Sequence, residues 1–265
     1  MQGRVLIIAG SDPSGGAGVQ ADIKTVTALG GYAASAITSL TVQNTRGVTG
    51  VHPVAPEIIR SQIISVLEDI GADAIKIGMI GEREAGVAIA DALVDLAPAI
   101  PIILDPVLIA TSGDALAADT IPALLLERLV PLAAIVTPNA DEAAALTGHA
   151  IKTADDLIAA GEALIRRGAT AALVKGGHLN GEIVEDALVT LDGARVFRNP
   201  RLETTSTHGT GCTLASAIAT GIAQGLPLAA AVKRAIDYVH EAIRTAPGYG
   251  GGHGPLNHGW PVDRN

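Results

Sequence analysis

The residues with most chemistry to offer stand near the C-terminal quarter, in Thr205-Ser206-Thr207-His208-Gly209-Thr210-Gly211-Cys212-Thr213. Two glycines one residue apart give way to an Ala-rich apolar run that continues to about Gln224, the pattern of a loop entering a helix. Glycine lets the backbone approach a ligand, and the first N–H groups of a helix have no intrahelical partner. The helix dipole adds partial positive charge, so the stretch suits an anion. Cys212, the only cysteine, falls in the first turn, where a helix N-terminus can lower a thiol pKa and create a base. The plain alternative is a small core residue. Phosphoryl transfer needs backbone donors, a cation and usually a metal. Gly209 to Gly211 can supply the donors and Lys175 the cation, unless Lys175 is merely a solvated strand end. Asp105 and Glu142 can hold Mg²⁺ through oxygen, partly by way of water.

Those residues need elements to bring them together. Val5 to Ala9 reads as a buried strand, and Gly10 to Gly18 as a glycine-rich loop before a helix at Val19 to Leu29. Strands are expected at Tyr32 to Thr41, Val48 to Val51, Ala74 to Met79, Ile102 to Leu104, Ala134 to Val136 and Ala172 to Val174. Helices are expected at Glu57 to Ile70, Arg83 to Leu96, Thr120 to Leu129, Asp141 to Leu146 and Ala154 to Arg167. Ala187 to Leu191 and Arg195 to Arg198 read as a hairpin around Asp192-Gly193. Helices over Cys212 to Gln224 and Leu228 to Thr245 finish the fold, and the tail Pro247 to Asn265 lacks regular structure. The alternation predicts an α/β fold with a central mostly parallel sheet covered on both faces. Ligands of such sheets bind beyond the carboxyl ends of the strands, where Gly10, Met79, Asp105, Asn139 and Lys175 fall. No linker, repeat or charge block divides residues 1–265, so a single domain is expected.

Composition narrows the classes. Hydrophobic residues are 48% of 265 and aromatics only 2%, so the core is built from Ala, Val, Ile and Leu. A net charge of −9 disfavours nucleic acid and anionic membranes as partners. One cysteine excludes an intrachain disulfide framework and fits a reducing compartment. No signal-peptide pattern or bilayer-length apolar run is present, so a cytoplasmic protein is expected. The loop Gly10 to Gly18 matches neither the Walker nor the Rossmann glycine fingerprint.

The stretch Gly10-Ser11-Asp12-Pro13-Ser14-Gly15-Gly16-Ala17-Gly18-Val19-Gln20-Ala21-Asp22 resembles the N-terminal signature of hydroxymethylpyrimidine/phosphomethylpyrimidine kinases of thiamine biosynthesis. Thr41-Val42-Gln43-Asn44-Thr45, Lys76-Ile77-Gly78-Met79, Leu104-Asp105-Pro106-Val107, Thr137-Pro138-Asn139 with Glu142, Val174-Lys175-Gly176-Gly177-His178 and His208 to Thr213 resemble further motifs of that family, in its order. The resemblance covers almost the whole chain. It implies a three-layer α/β/α ribokinase-like fold and a homodimer. It also implies ATP- and Mg²⁺-dependent phosphorylation of 4-amino-5-hydroxymethyl-2-methylpyrimidine, then of its monophosphate. For the residues it implies that Gln43 reads the pyrimidine, since an amide offers a donor beside an acceptor. Gly10, Asp22, Met79 and Val107 complete the substrate site, although Asp22 could be a helix-surface carboxylate. Asp105, Glu142 and Asn139 serve the metal. Lys175, Thr207, Gly209, Thr210 and Gly211 serve ATP. Cys212 stands where many sugar kinases of the superfamily carry an Asp base. Its implied role weighs more in the first transfer than in the second, where the nucleophile is already a phosphate oxygen. His208 receives no role.

Three other readings compete. A pyridoxal kinase of the same Cys-containing branch, or a dual-specificity enzyme, differs in substrate only. A Cys/His hydrolase leaves Asp105, Glu142 and Lys175 without a task. A non-catalytic nucleotide-binding protein predicts ATP binding without turnover.

Overall fold

The run Val5 to Ala9 is apolar at every position, which suits a strand covered on both faces. In the computed structural model, which describes residues 2–108 and 120–262, it is the centre of β1 (Arg4–Ser11). The pleat sends Leu6 and Ile8 into one core and Val5, Ile7 and Ala9 into another. After β1 come α1 (Gly18–Ala28), β2 (Tyr32–Asn44), β3 (Gly47–Pro53), α2 (Pro56–Asp69), β4 (Ala74–Ile77), α3 (Arg83–Leu96) and β5 (Ile102–Leu104). Then follow α4 (Ile121–Leu124), β6 (Ile135–Val136), α5 (Ala140–Thr147), α6 (Ala154–Arg166), β7 (Ala171–Lys175), β8 (Ile183–Thr190), β9 (Gly193–Pro200), α7 (Thr210–Ala223) and α8 (Leu228–Arg244).

The nine strands make one sheet in the order β3-β2-β1-β4-β5-β6-β7-β8-β9. The six strands from β2 to β7 in that order are parallel, and β3, β8 and β9 each pair antiparallel. Helices α2 to α6 supply the core on the Leu6 side, and α1, α7 and α8 the core on the Ile7 side. This is the three-layer α/β/α arrangement expected. Each fully buried Leu or Ile contributes about 1.5–3 kcal/mol, so packing on the sheet holds these helices more than propensity does. Helix α7 is buried from Thr213 to Gly221, and its Ala-rich sequence lets it lie close to the sheet.

Several boundaries differ from the sequence reading. The helix expected from Thr120 to Leu129 is a short α4 that widens into a π turn over Leu125–Leu129 and a 3-10 turn over Val130–Leu132. Pro131 has no N–H to continue the helical ladder. Strand β2 runs three residues beyond Thr41, to Asn44, because β3 pairs with its outer end. Leu40 and Val42 are 50% and 52% exposed there, while Thr41 and Gln43 face the opposite side. The hairpin turns through Leu191 and Asp192, with Thr190 opposite Gly193, one residue earlier than the Asp-Gly signal suggests. Among the described residues, 246–262 contain no helix or strand beyond an isolated bridge between Pro255 and His208. Residues 263–265 of the tail lie outside the described residues.

Candidate active site

The carboxyl ends of the parallel strands open on a cavity of about 650 Å³. Gly10, Ser11 and Asp12 reach it from β1, Thr41 and Gln43 from β2, and Met79 from the turn after β4. Asp105 and Val107 follow β5, Asn139 and Glu142 open α5, and Lys175 ends β7. Thr207 to Cys212 form its floor, and Ile236, Val239 and Ile243 of α8 one wall. Every site residue named from the sequence lines this cavity except Asp22.

The floor is built by a glycine that no other residue replaces cheaply. Gly209, the N-cap of α7, has φ +85°, and a Cβ there would run into the Gly16 carbonyl. The Gly10–Gly18 loop therefore seats directly on the start of α7. The N–H groups of Gly211 and Cys212 fall in the first turn, where no intrahelical acceptor exists. A Cβ on Gly211 would stand 3.1 Å from Lys175 Nζ, so the lysine lies over the helix start. Lys175 Nζ is 3.3 Å from Asp105 Oδ1. Burial works against its charge, but Asp105 and Glu142 outweigh burial and raise its pKa.

Asn139 and Glu142 form a reciprocal capping box at α5. Glu142 N donates to Asn139 Oδ1 at 2.9 Å, and Asn139 N donates to Glu142 Oε2 at 2.8 Å. The cap holds Glu142 in a fixed position at the start of α5, and one lone pair of the Asn139 amide oxygen is used in it. Burial pushes the Glu142 carboxyl up to about 7, opposed by Lys175 and reinforced by the charge of Asp105. Asp105 Oδ1 also accepts from Thr137 Oγ1 at 3.3 Å, whereas its Oδ2 is buried without a hydrogen-bond partner. An orphaned carboxylate oxygen beside a second carboxylate fits a hard divalent cation. Among the described residues no group of three His, Cys, Asp or Glu side chains is placed to hold a metal ion.

Two expectations are corrected. Asp22 does not reach the cavity. Its carboxylate is wholly buried, with Lys76 Nζ at 3.1 and 2.8 Å and Ser216 Oγ at 2.7 Å. Both oxygens are therefore spent inside the protein, tying α1 to β4 and α7. Asp22 keeps the Lys76 ammonium protonated against burial. The second correction concerns Cys212. Burial pushes its thiol up to about 12; Lys76 and the Gly18 N–H pull it down, and Asp22 and Asp105 push it further up. Desolvation outweighs the groups that favour the thiolate, so the protonated thiol dominates at neutral pH.

The sequence reading missed a buried pair that joins the two halves of the cavity. His208 Nε2 lies 2.8 Å from Asp12 Oδ2, both side chains almost fully buried. The tail fastens the same corner. His208 N donates to Gly254 O at 3.0 Å, His253 N to Thr45 O at 2.7 Å, and Thr213 Oγ1 lies 3.0 Å from His258 Nε2. These contacts are 45 to 208 residues apart in the chain and leave no local signal.

Comparison with known proteins points the same way. A family model described as Phosphomethylpyrimidine kinase matches residues 12–257. The chain is 50% identical over 258 residues to a hydroxymethylpyrimidine/phosphomethylpyrimidine kinase of Rhizobium meliloti (strain 1021), covering 96% of each. Among solved structures, the phosphomethylpyrimidine kinase of Clostridium difficile 630 superposes with a TM-score of 0.81 at 41% identity, over 91% of this chain and 99% of that one. The ADP complex of Bacillus subtilis pyridoxal kinase superposes at 0.89 with 31% identity, over 100% of both. A glycine-rich helix start, a lysine and two carboxylates thus line one cavity in a chain whose family model and these relatives are named as kinases. It belongs to the phosphomethylpyrimidine kinase family and is a phosphotransferase of the ribokinase-like fold.

Proposed function

We propose that the protein transfers the γ-phosphoryl group of ATP to the hydroxymethyl group of 4-amino-5-hydroxymethyl-2-methylpyrimidine. It then phosphorylates the monophosphate to the diphosphate, in thiamine biosynthesis. One observation carries this reading: a base-reading amide, Gln43, and a phosphate cradle, Gly209 to Gly211 with Lys175, line a single continuous cavity. Met79 and Val107 provide apolar walls for a flat ring, and Gly10 allows the backbone close to it. Thr207 and Thr210 flank the cradle and bind ATP with it. The N–H groups of the cradle face charge that builds on the transferred group. Lys175 adds a fixed positive charge. Asp105 and Glu142 would hold Mg²⁺, which when bound neutralises phosphate charge. Cys212 lines the cavity beside the cradle; once its thiol proton has passed to solvent, the thiolate would accept the hydroxyl proton in the first transfer.

The close superposition on a pyridoxal kinase supports a second reading, in which pyridoxal is an additional substrate. The test is an ATP-dependent assay on the pyrimidine alcohol, its monophosphate and pyridoxal, each with Mg²⁺ or with chelator. Turnover of both pyrimidines only with metal is expected; no phosphorylation of either would overturn the proposal. We also read residues 1–265 as one domain, on the strength of its unbroken sheet, and as a cytoplasmic homodimer. No helix of the described residues is long and apolar enough to cross a membrane, and exposed Leu40 and Val42 on β2 offer apolar surface for a second copy. Sedimentation velocity reads the dimer directly.

A further inference from the structure

The Gly-rich tail crosses the rim of the cavity as a strap fastened on both sides. Toward the end of β2, His253 N donates to Thr45 O at 2.7 Å. Gly250 and Gly252 lie so close to Thr45 that a Cβ on either would clash with it. Toward the cradle, Gly254 N donates to Thr205 O at 3.1 Å, and His208 N donates to Gly254 O at 3.0 Å. The strap is thus held by its main chain, and among the described residues His253 is the only tail residue that lines the cavity. The His253 side chain is exposed at the rim, with Nδ1 3.3 Å from Thr207 Oγ1. Its other ring nitrogen, Nε2, has no hydrogen-bond partner among the described residues. Gln43 stands two residues before Thr45, its Nε2 lies 3.5 Å from His208 Nε2, and His208 follows Thr207 in the chain. Gln43, His208, Thr207, His253 and Thr45 therefore close a ring of contacts around one corner of the cavity, between the base-reading amide and Gly209.

We propose that His253 is a binding residue for the phosphate of the monophosphate acceptor, donating to it from Nε2 in the second phosphoryl transfer. The inference rests on the pyrimidine reading above and names a group that only its second step uses. With the ring on Gln43 and the incoming phosphoryl group on Gly209 to Gly211 and Lys175, the acceptor's own phosphate lies between the two, in the corner that His253 faces. The other charged groups there are already paired. His208 Nε2 lies 2.8 Å from Asp12 Oδ2, Asp12 also accepts from Ser14 N and Ala17 N, and Lys175 Nζ stands 3.3 Å from Asp105 Oδ1. A phosphate oxygen is an acceptor, so the ring nitrogen facing it carries hydrogen, and Nδ1 is left to accept from the Thr207 hydroxyl. The alcohol brings only a neutral hydroxyl to this corner and gains far less from the imidazole.

Initial rates of the full-length protein with ATP and Mg²⁺, taken separately on the pyrimidine alcohol and on its monophosphate, test this. A hydrogen bond to a charged group corresponds to about tenfold or more in affinity. His253→Ala should raise the monophosphate KM by about tenfold and move the alcohol KM and the ATP KM by less than about twofold. His253→Phe, which keeps a ring at the rim without a donor, should behave like His253→Ala. The strap stays fastened in both variants, because residue 253 reaches Thr45 through its main-chain N–H. An unchanged monophosphate KM would overturn the proposal, and so would a normal monophosphate KM in His253→Phe. An equal rise for both acceptors would make the strap a mere wall of the cavity, and an equal rise in the ATP KM would put His253 on the nucleotide through Thr207; either result also contradicts it. An unmodified protein inactive on both pyrimidines would strike the functional reading instead.

Discussion

At Cys212 two local fields compete, and their sizes decide the outcome. The terminus of a surface helix stabilises a charge by about 0.3–1 kcal/mol, whereas removing a thiolate from water costs several times that. Burial therefore wins, and the thiol sits at about 12 rather than below its ordinary value. The raised pKa lowers the thiolate fraction at neutral pH. Alkylation of Cys212 in the ligand-free protein should thus be slow at pH 7 and keep accelerating through pH 10, without a plateau near neutrality. A plateau between pH 6 and 8 would contradict this. The catalytic prediction is separate. Cys212→Ala should slow phosphorylation of the pyrimidine alcohol by about 10²-fold or more, the usual contribution of a general base. Phosphorylation of the monophosphate should suffer much less, since its phosphate oxygen has no proton of comparable pKa to lose. Equal losses in both, measured as separate initial rates, would remove the base role. Cys212 was legible as a site residue because it follows a glycine pair; its protonation was not, because desolvation is a tertiary quantity.

Elements, rather than side chains, explain why most of the site could be read in advance. Parallel strands end on one edge, so a polar residue directly after an apolar run is delivered there, as Asp105, Asn139 and Lys175 are. Asp22 breaks the rule because it lies within α1, and helical spacing does not tell which face turns toward a partner. Its role is to lock α1 to β4 and α7 through Lys76 and Ser216. Removing one member of a buried ion pair strands the other charge, at about 3–5 kcal/mol. Lys76→Met should lower unfolding free energy by that amount in urea titration. A loss below about 1 kcal/mol would mean that Asp22 has an outlet to solvent. The Asp12–His208 pair was illegible for a simpler reason: its members stand 196 residues apart, and no periodicity connects a glycine loop to a distant helix start.

For the molecule as a whole, the tail is a fastening. Tyr238 Oη donates to His258 O at 2.6 Å, and the His258 ring is buried against Thr213 Oγ1. Burial, helped by the charges of Lys24 and His208, pushes the His258 ring down to about 4. The unfolded chain, at about 6.5, binds the proton first as pH falls. Stability from this residue is thus complete above pH 6.5 and lost progressively toward pH 4, by about 2 kcal/mol at pH 5. Urea midpoints for wild type and His258→Asn should converge between pH 7.5 and 5; parallel curves would contradict the assignment. The tail's Gly- and His-rich composition gave no hint of this, since the contacts that fasten it to the site corner, with Thr45, His208 and Thr213, lie far earlier in the chain. The central claim is that one cavity performs two successive phosphoryl transfers to a pyrimidine. The most direct measurement is a ³¹P NMR time course of the pyrimidine alcohol with excess ATP and Mg²⁺. The expected result is a monophosphate that appears and then declines as the diphosphate rises; absence of both pyrimidine phosphates while ATP persists would contradict it.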